Sequence, residues 1–370
     1  MNTLRVVSGH VLALRLFDIA FAIDLMRAES LWADHAAGRT ARSRLSATPP
    51  KAVSFGVPPL AVFLDPVMLT LPGGQMEANV TARLYSFGAV SLALRVPASG
   101  LGWDAYGTLL NAVADTIDRD TEAAIWSGSL SQLTRVLQAS FVRPSPSTIE
   151  EDYLIGVVHA FDVPTTSDSL LAQVDLVPLL SGETRALSDG ARAELLRQRF
   201  SYYSDDLVVL TWDRAFIYEP RGDSDVADVL EVANAQLLEM RYYDELLDDE
   251  LPRMYDLVET ARRGLNVFAA RRYAELARRL YTVVAEVTEL TEQVDNALQV
   301  TEDVYLARVY TAALELYRVR TVSAAVNRKL SIIRDTYTAL YDEASSSRSE
   351  LMEIAIIVLI AVEIVLAVVR

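Results

Sequence analysis

The chain has no cysteine. That excludes disulfides, thiolate metal sites and cysteine catalysis. It leaves the compartment open. Lysine is nearly absent too: only Lys51 and Lys329 occur, so the positive charge is carried by arginine. The histidines His10, His35 and His159 stand far apart, with none of the clustered spacing a zinc site needs; they read as structural or surface residues. A glycine-rich phosphate loop is missing, since Pro72-Gly73-Gly74 lacks the lysine and the helix pattern that should follow. A nucleophile elbow is missing as well: Gly128-Ser129 sits in WSGSLS without the second glycine. No catalytic residue, metal ligand or cofactor site is assigned, and the expectation is a protein that is not an enzyme.

Positive charge is also in deficit. Lys+Arg 34 against Asp+Glu 50 gives a net charge of −16, which argues against a general nucleic-acid coat. An apolar fraction of 51% is more than a disordered chain carries, and 370 residues leave room for two or three domains.

The longest apolar run closes the sequence. In Leu351–Val369 every residue except Met352, Glu353 and Glu363 is Ala, Val, Ile or Leu. As a helix it would reach about 28 Å, near the thickness of a bilayer's hydrocarbon. This predicts a membrane anchor; a buried helix of a soluble oligomer is the alternative. Glu353 would reach the headgroups. Glu363 lies deeper, where a carboxylate costs at least a few kcal/mol unless it is protonated or paired, most simply with a second copy of the chain. No secretory signal is expected at the N-terminus, because Arg15, Asp18 and Asp24 interrupt the apolar stretch from Val11 to Met26. The anchor thus predicts a single-pass protein of a bacterial inner membrane with a cytoplasmic body. Arg348 and Arg370 alone give charge-based orientation little to work with.

Upstream, residues 4–17 read as a strand and 18–37 as a helix with Asp18 as its N-cap. Strands are expected over 60–71 and 78–96, and a helix over Trp103–Thr116. Arg143-Pro144-Ser145-Pro146-Ser147 marks a boundary. Beyond it come a strand at 152–161 returning to the first sheet, short helices at 170–180 and 189–199 (the second capped by Ser188), and a hairpin around Trp212-Asp213-Arg214. From Ser224 onward the pattern is helical: 225–247, 252–297 opening on Pro252, and 302–318. Leu280, Val283, Val287, Leu290 and Val294 form one seam; Val319, Ser323, Val326, Leu330, Ile333, Tyr337 and Leu340 form another. Their 3-4 spacing predicts an antiparallel helical hairpin, the second seam running on into the anchor.

Two charge clusters need weighing. Asp244, Glu245, Asp248, Asp249 and Glu250 could hold Mg²⁺, or be a solvated helix end before Pro252. Arg271, Arg272, Arg278 and Arg279 fall within about 120° of one helix face and could meet phosphate or anionic lipid. Glu275, four residues from both Arg271 and Arg279, makes a self-neutralised face the competing reading.

RYYDELLDDEL (Arg241–Leu251), VNRKLSIIRDTY (Val326–Tyr337), LIAVEIVLAVV (Leu359–Val369) and the upstream YSFGAV (Tyr85–Val90) resemble the "required for meiotic nuclear division" family, chiefly over residues 200–369. The resemblance implies a membrane-anchored protein of an energy-coupling membrane in a large homo-oligomer, with mitochondrial members linked to translation and no accepted catalytic residues. Together these readings predict an α+β body with two small sheets, a helical stalk and one transmembrane helix. The expected domains are 1–143, 148–222, 223–348 and 351–369. The expected function is a non-enzymatic, membrane-anchored homo-oligomeric scaffold or assembly factor. The alternative is a membrane-bound enzyme or an RNA- or ribosome-associated factor using the body, which the net charge does not favour.

Overall fold

A computed structural model describes residues 4–35, 58–118, 123–144, 149–222, 225–262, most of 275–288, and 304–369. By compactness these fall into two units, one of residues 1–239 with 293–320, the other of 240–292 with 321–370.

The first unit is built on one sheet, not two small ones. Its strands are β1 (Arg5–Asp18), β3 (Leu60–Phe63), β4 (Val67–Leu71), β5 (Gly74–Leu84), β6 (Ala89–Pro97), β7 (Leu101–Gly102), β9 (Glu150–Phe161), β10 (Gln198–Phe200), β11 (Leu207–Leu210) and β12 (Arg214–Tyr218). They run in the order β10-β11-β12-β9-β1-β6-β5-β3, with β4 on β5 and β7 on β1. Pairing is antiparallel except between β9 and β12. The two expected sheets merge because β9 returns beside β1, Leu12 opposite Ile155, and carries the β11–β12 hairpin with it. A separate two-stranded piece joins β2 (Ala20–Ile23) to β8 (Phe141–Pro144).

Central β1 is covered on both faces, which is why HVLALRLF reads as a nearly continuous apolar run. On one face Val11, Ala13, Leu92, Leu94 and Phe216 meet helices α2 (Trp103–Ile117) and α3 (Ala123–Leu137) through Tyr106, Leu110, Trp126 and Leu133. Helix α2 comes close to the sheet at Gly156, where a Cβ would stand 2.8 Å from Leu110 Cδ1 and 2.9 Å from the Tyr106 hydroxyl. The other face is buried as well: Leu14, Leu16, Tyr153, Ile155 and Ile217. Above it lie the start of α7 (Val226–Arg262) and helix α8 (Val304–Leu316), labelled here after α4 (Ser167–Gln173), α5 (Val177–Ser181) and α6 (Asp189–Leu195).

Polar contacts fix these helices to that face. Arg83 of β5 donates to Glu231 at 2.6 Å and Asp228 at 2.9 Å, and the Tyr85 hydroxyl reaches Glu231 at 3.3 Å. Burial pulls the Arg83 guanidinium down, but Glu231 and Asp228 outweigh it and hold it above its ordinary value. Next along, Asn234 donates to the Tyr317 hydroxyl at 3.3 Å, and the Tyr317 ring meets Tyr153 edge-on, centroids 5.3 Å apart. The Tyr153 hydroxyl donates to the carbonyls of Thr211 and Arg214 at 3.0 and 2.9 Å.

Local chemistry explains where element boundaries move from expectation. The first helix is α1 (Leu25–His35), capped by Asp24, whose Oδ1 accepts from Arg27 N at 3.0 Å. Asp18 remains in β1, opposite Ala89, because residues 20–23 are spent pairing β8. The expected helix at 170–180 splits into α4 and α5 where Asp175 caps Val177 (3.0 Å) and Pro178 restarts the turn. The expected 189–199 helix ends at Leu195, and Gln198–Phe200 become β10; Ser188 caps α6 as expected. Pro252 lies inside α7 and does not open a helix. The missing N–H leaves only the carbonyl of Asp248, a residue with an exposed side chain, without its helical donor. Gly88 explains the YSFG stretch: its φ is +107°, and a Cβ would collide with the carbonyl oxygen of Ala20.

In the second unit the last helix, α9 (Val319–Val369), is 51 residues long. Val326, Leu330, Ile333 and Leu340 are buried along it, as are Leu280 and Val287; Tyr281 and Tyr337 meet at 6.0 Å. Val283, Leu290 and Val294 lie outside the described residues. The transmembrane anchor, and with it the single-pass inner-membrane placement, needs correction. Among the described residues no helix is long and apolar enough to cross a membrane. Leu351–Val369 forms the end of α9, and Glu353 and Glu363 confine its uninterrupted apolar run to Ile354–Val362. Such a run spans about 14 Å of helix against a hydrocarbon core of about 30 Å.

The Arg83 network makes a direct prediction. Arg83→Met should destabilise the protein by about 3–5 kcal/mol, because it strands Glu231 as a buried carboxylate. Adding Glu231→Leu should restore most of that loss. Urea unfolding of both variants measures it; equal losses in the single and double variants would contradict it.

Candidate protein-binding groove

An open concavity lies at the free end of the large sheet, where β10 is the edge strand. Period-two alternation turns Gln198 and Phe200 to one face and Arg199 to the other. Across from them α8 presents Val304, Ala307, Arg308, Thr311, Ala312 and Glu315, spaced three or four apart on one side of the helix. Leu306, Val309 and Ala313 are buried on its other side. The result is a groove of about 460 Å³ with a largely apolar floor, within the usual range of binding clefts.

The loop after β10 extends the groove with aromatic rings. Tyr202 and Tyr203 are 64% and 46% exposed. They are held in place: the Asp206 carboxylate accepts from Tyr202 N at 2.7 Å and Tyr203 N at 3.0 Å, and the Ser201 hydroxyl donates to Asp206 O at 2.8 Å. Tyr202 meets Tyr203 edge-on at 4.8 Å and Tyr305 of α8 at 5.5 Å. Two arginines close the row, Arg308 over Phe200 at 5.9 Å and Arg221 over Tyr203 at 4.3 Å. Arg199, Arg221 and Arg308 make no ion pair among the described residues. Exposed tyrosine and arginine with little freedom left to lose are the side chains that dominate protein interfaces.

Other polar clusters are spent on structure. Lys329 bonds Asp244 and Asp248, each at 2.7 Å, and Arg253 pairs with Asp249 (3.8 Å) and Glu250 (2.7 Å), so the acidic run at 244–250 has cations on it. Among the described residues no group of three or more His, Cys, Asp or Glu could hold a metal ion. His10 and His159, remote in sequence, come together with ring centroids 5.4 Å apart, and His159 Nδ1 lies 3.2 Å from Glu219 O. Of the arginine face predicted at 271–279, Arg271, Arg272 and Arg279 lie outside the described residues, and Arg278 is exposed on a helix. Glu353 is exposed on α9; Glu363 lies on the same helix with its side chain outside the described residues. None of these predicted residues lines the groove.

Sequence reasoning missed the groove. Its signal was Phe200-Ser201-Tyr202-Tyr203, an aromatic cluster in a polar stretch, but the partner helix is about a hundred residues further on.

The fold is that of a mixed α/β protein with a large, mainly antiparallel sheet and an open groove at its edge. The chain belongs to the family described as "Uncharacterized protein MJ0711, N-terminal domain", whose model matches residues 8–225. The match runs from β1 to the start of α7. "Uncharacterized protein MJ0711" of Methanocaldococcus jannaschii is 24% identical over 193 residues, 52% of this chain and 58% of that protein. The chain therefore matches less than two thirds of that relative's length. No solved structure matches. This membership overturns the resemblance to the "required for meiotic nuclear division" family. Three of the stretches that carried it lie on α7 and α9, where helical periodicity and charge runs recur in unrelated proteins.

The histidine pair makes a prediction of its own. Burial first, then Arg95 and His159, lowers the His10 imidazole to about 3. In the unfolded chain it titrates near 6.5. The unfolded state therefore binds the extra proton as pH falls, and stability present above about pH 6.5 is lost progressively down to pH 3, by roughly 3–5 kcal/mol. His10→Gln should flatten the urea-unfolding free energy across that window. An unchanged pH slope would show that other groups set it.

Proposed function

We propose that this chain is a non-enzymatic assembly protein that holds a protein partner in the β10–α8 groove and associates with copies of itself. The observation that carries the reading is the groove itself. Its row of ordered tyrosines and unpaired arginines is suited to contact and not to proton transfer or nucleophilic attack. Self-association is supported separately by α9, on which Ile356, Ile357, Leu359 and Ile360 are 50–67% exposed. A second copy offers the same apolar patch between Glu353 and Glu363, and pairing like with like is how most closed oligomers form.

Two measurements test this. A photo-crosslinking amino acid at Tyr305 should form, in the native host, an adduct with an identified protein that rebinds in purified form, and Tyr202→Ala should abolish that adduct. Adducts with nucleic acid alone would contradict the reading. In light scattering after gel filtration, the parent should exceed the monomer mass and the double variant Ile357→Glu, Ile360→Glu should approach it. A monomeric parent would remove the self-association.

A further inference from the structure

Resting on that reading, we infer that the groove takes an acidic, extended segment of its partner, added as a further strand beside β10 and clamped by the unpaired arginines.

Strand β10 ends the sheet order, and its far side has no partner strand among the described residues. Such an edge carries main-chain donors and acceptors that an incoming strand can use. Peptide-binding domains that work by strand addition combine an edge with a cleft for alternate side chains. Here α8 stands beside that edge and makes the cleft, with Phe200, Ala307 and Ala312 as an apolar seat.

Charge selects the occupant. Three arginines that make no ion pair among the described residues gather at this end of the sheet. Arg308 lines the groove, Arg221 flanks its tyrosines and Arg199 points from β10 to the opposite face. The carboxylates nearby are mostly engaged: Asp206 accepts the two loop amides, Glu315 lies 3.9 Å from Arg320, and Glu194 pairs with Arg197. Asp205 and Asp206 are both acids of the loop, but neither makes an ion pair with Arg199, Arg221 or Arg308 among the described residues, so these guanidiniums keep their hydrogen-bonding forks open for a carboxylate. Arginine forks match carboxylates with paired, directional hydrogen bonds. A short acidic strand meets both features, edge and charge. A polynucleotide would bring a dense phosphate backbone to a strongly acidic protein and would leave the strand edge unused.

The test uses the full chain and a short fluorescein-labelled peptide of glutamates and valines, followed by fluorescence polarisation. Three probes accompany it: the peptide with lysine for glutamate, the glutamate peptide N-methylated at alternate residues, and labelled oligo-dT. The glutamate peptide should bind and the lysine peptide should not. Arg308→Glu, and separately Arg221→Gln, should weaken binding by about tenfold and about threefold with unchanged circular dichroism. N-methylation should weaken it by about tenfold, because it removes main-chain donors. Equal binding of the glutamate and lysine peptides, or indifference to both arginine variants, would overturn the acidic occupant. Failure of every peptide while the Tyr305 adduct with a protein persists would overturn the acidic strand and leave the assembly reading standing. Oligo-dT binding that Arg308→Glu abolishes would remove both.

Discussion

The sheet can be covered on both faces because one charged residue is neutralised inside it. Arg83 occupies a strand position that faces α7, and a lone guanidinium there would exclude the helix. Glu231 and Asp228 accept its hydrogens, Tyr85 bonds Glu231, and the first turns of α7 are thereby set in register over β5 and β6. Placement then passes along the helix. Asn234 meets Tyr317, Tyr317 meets Tyr153, and Gln236 accepts from the Tyr310 hydroxyl at 2.6 Å. Those contacts locate α8, and α8 is one wall of the groove. The groove at the sheet's edge thus depends on an ion pair near its middle.

Rigidity in the groove has a separate source. The two tyrosines that extend it sit on a loop that would otherwise sample many conformations. Asp206 removes most of that freedom by accepting both of their backbone N–H groups. Ordering such side chains before binding lowers the entropy lost on contact. The groove therefore joins an apolar seat to a preorganised rim, within a single compact unit.

Much of the fold was legible from residues. Continuous apolar runs marked β1 and β9, the turn at Trp212-Asp213-Arg214 marked its hairpin, and Ser188 marked a helix start. What was not legible depended on pairing between distant segments. Nothing local in Asp152–Phe161 says that β11 and β12 will extend the same sheet, so one sheet was read as two. The apolar end of α9 was overread because both carboxylates were given roles in a membrane, Glu353 at the headgroups and Glu363 paired with a second copy, whereas they divide the run into pieces too short to span one. The site was harder still. His10 and His159 are separated by about 150 residues, and Phe200 and Arg308 by about 110, so no motif spacing announces either pair. The stretches that suggested another family were helical, whereas the family match covers the strands, whose pairings constrain sequence more tightly.

In the proposed mode of binding, β10 is the strand on which a partner docks. Hydrogen exchange of the full chain, with and without the glutamate–valine peptide, tests it at the backbone. Slowed exchange at Gln198, Arg199 or Phe200, together with residues of α8, is the predicted result. Protection confined to other strands or to α9, with β10 unchanged, would contradict it.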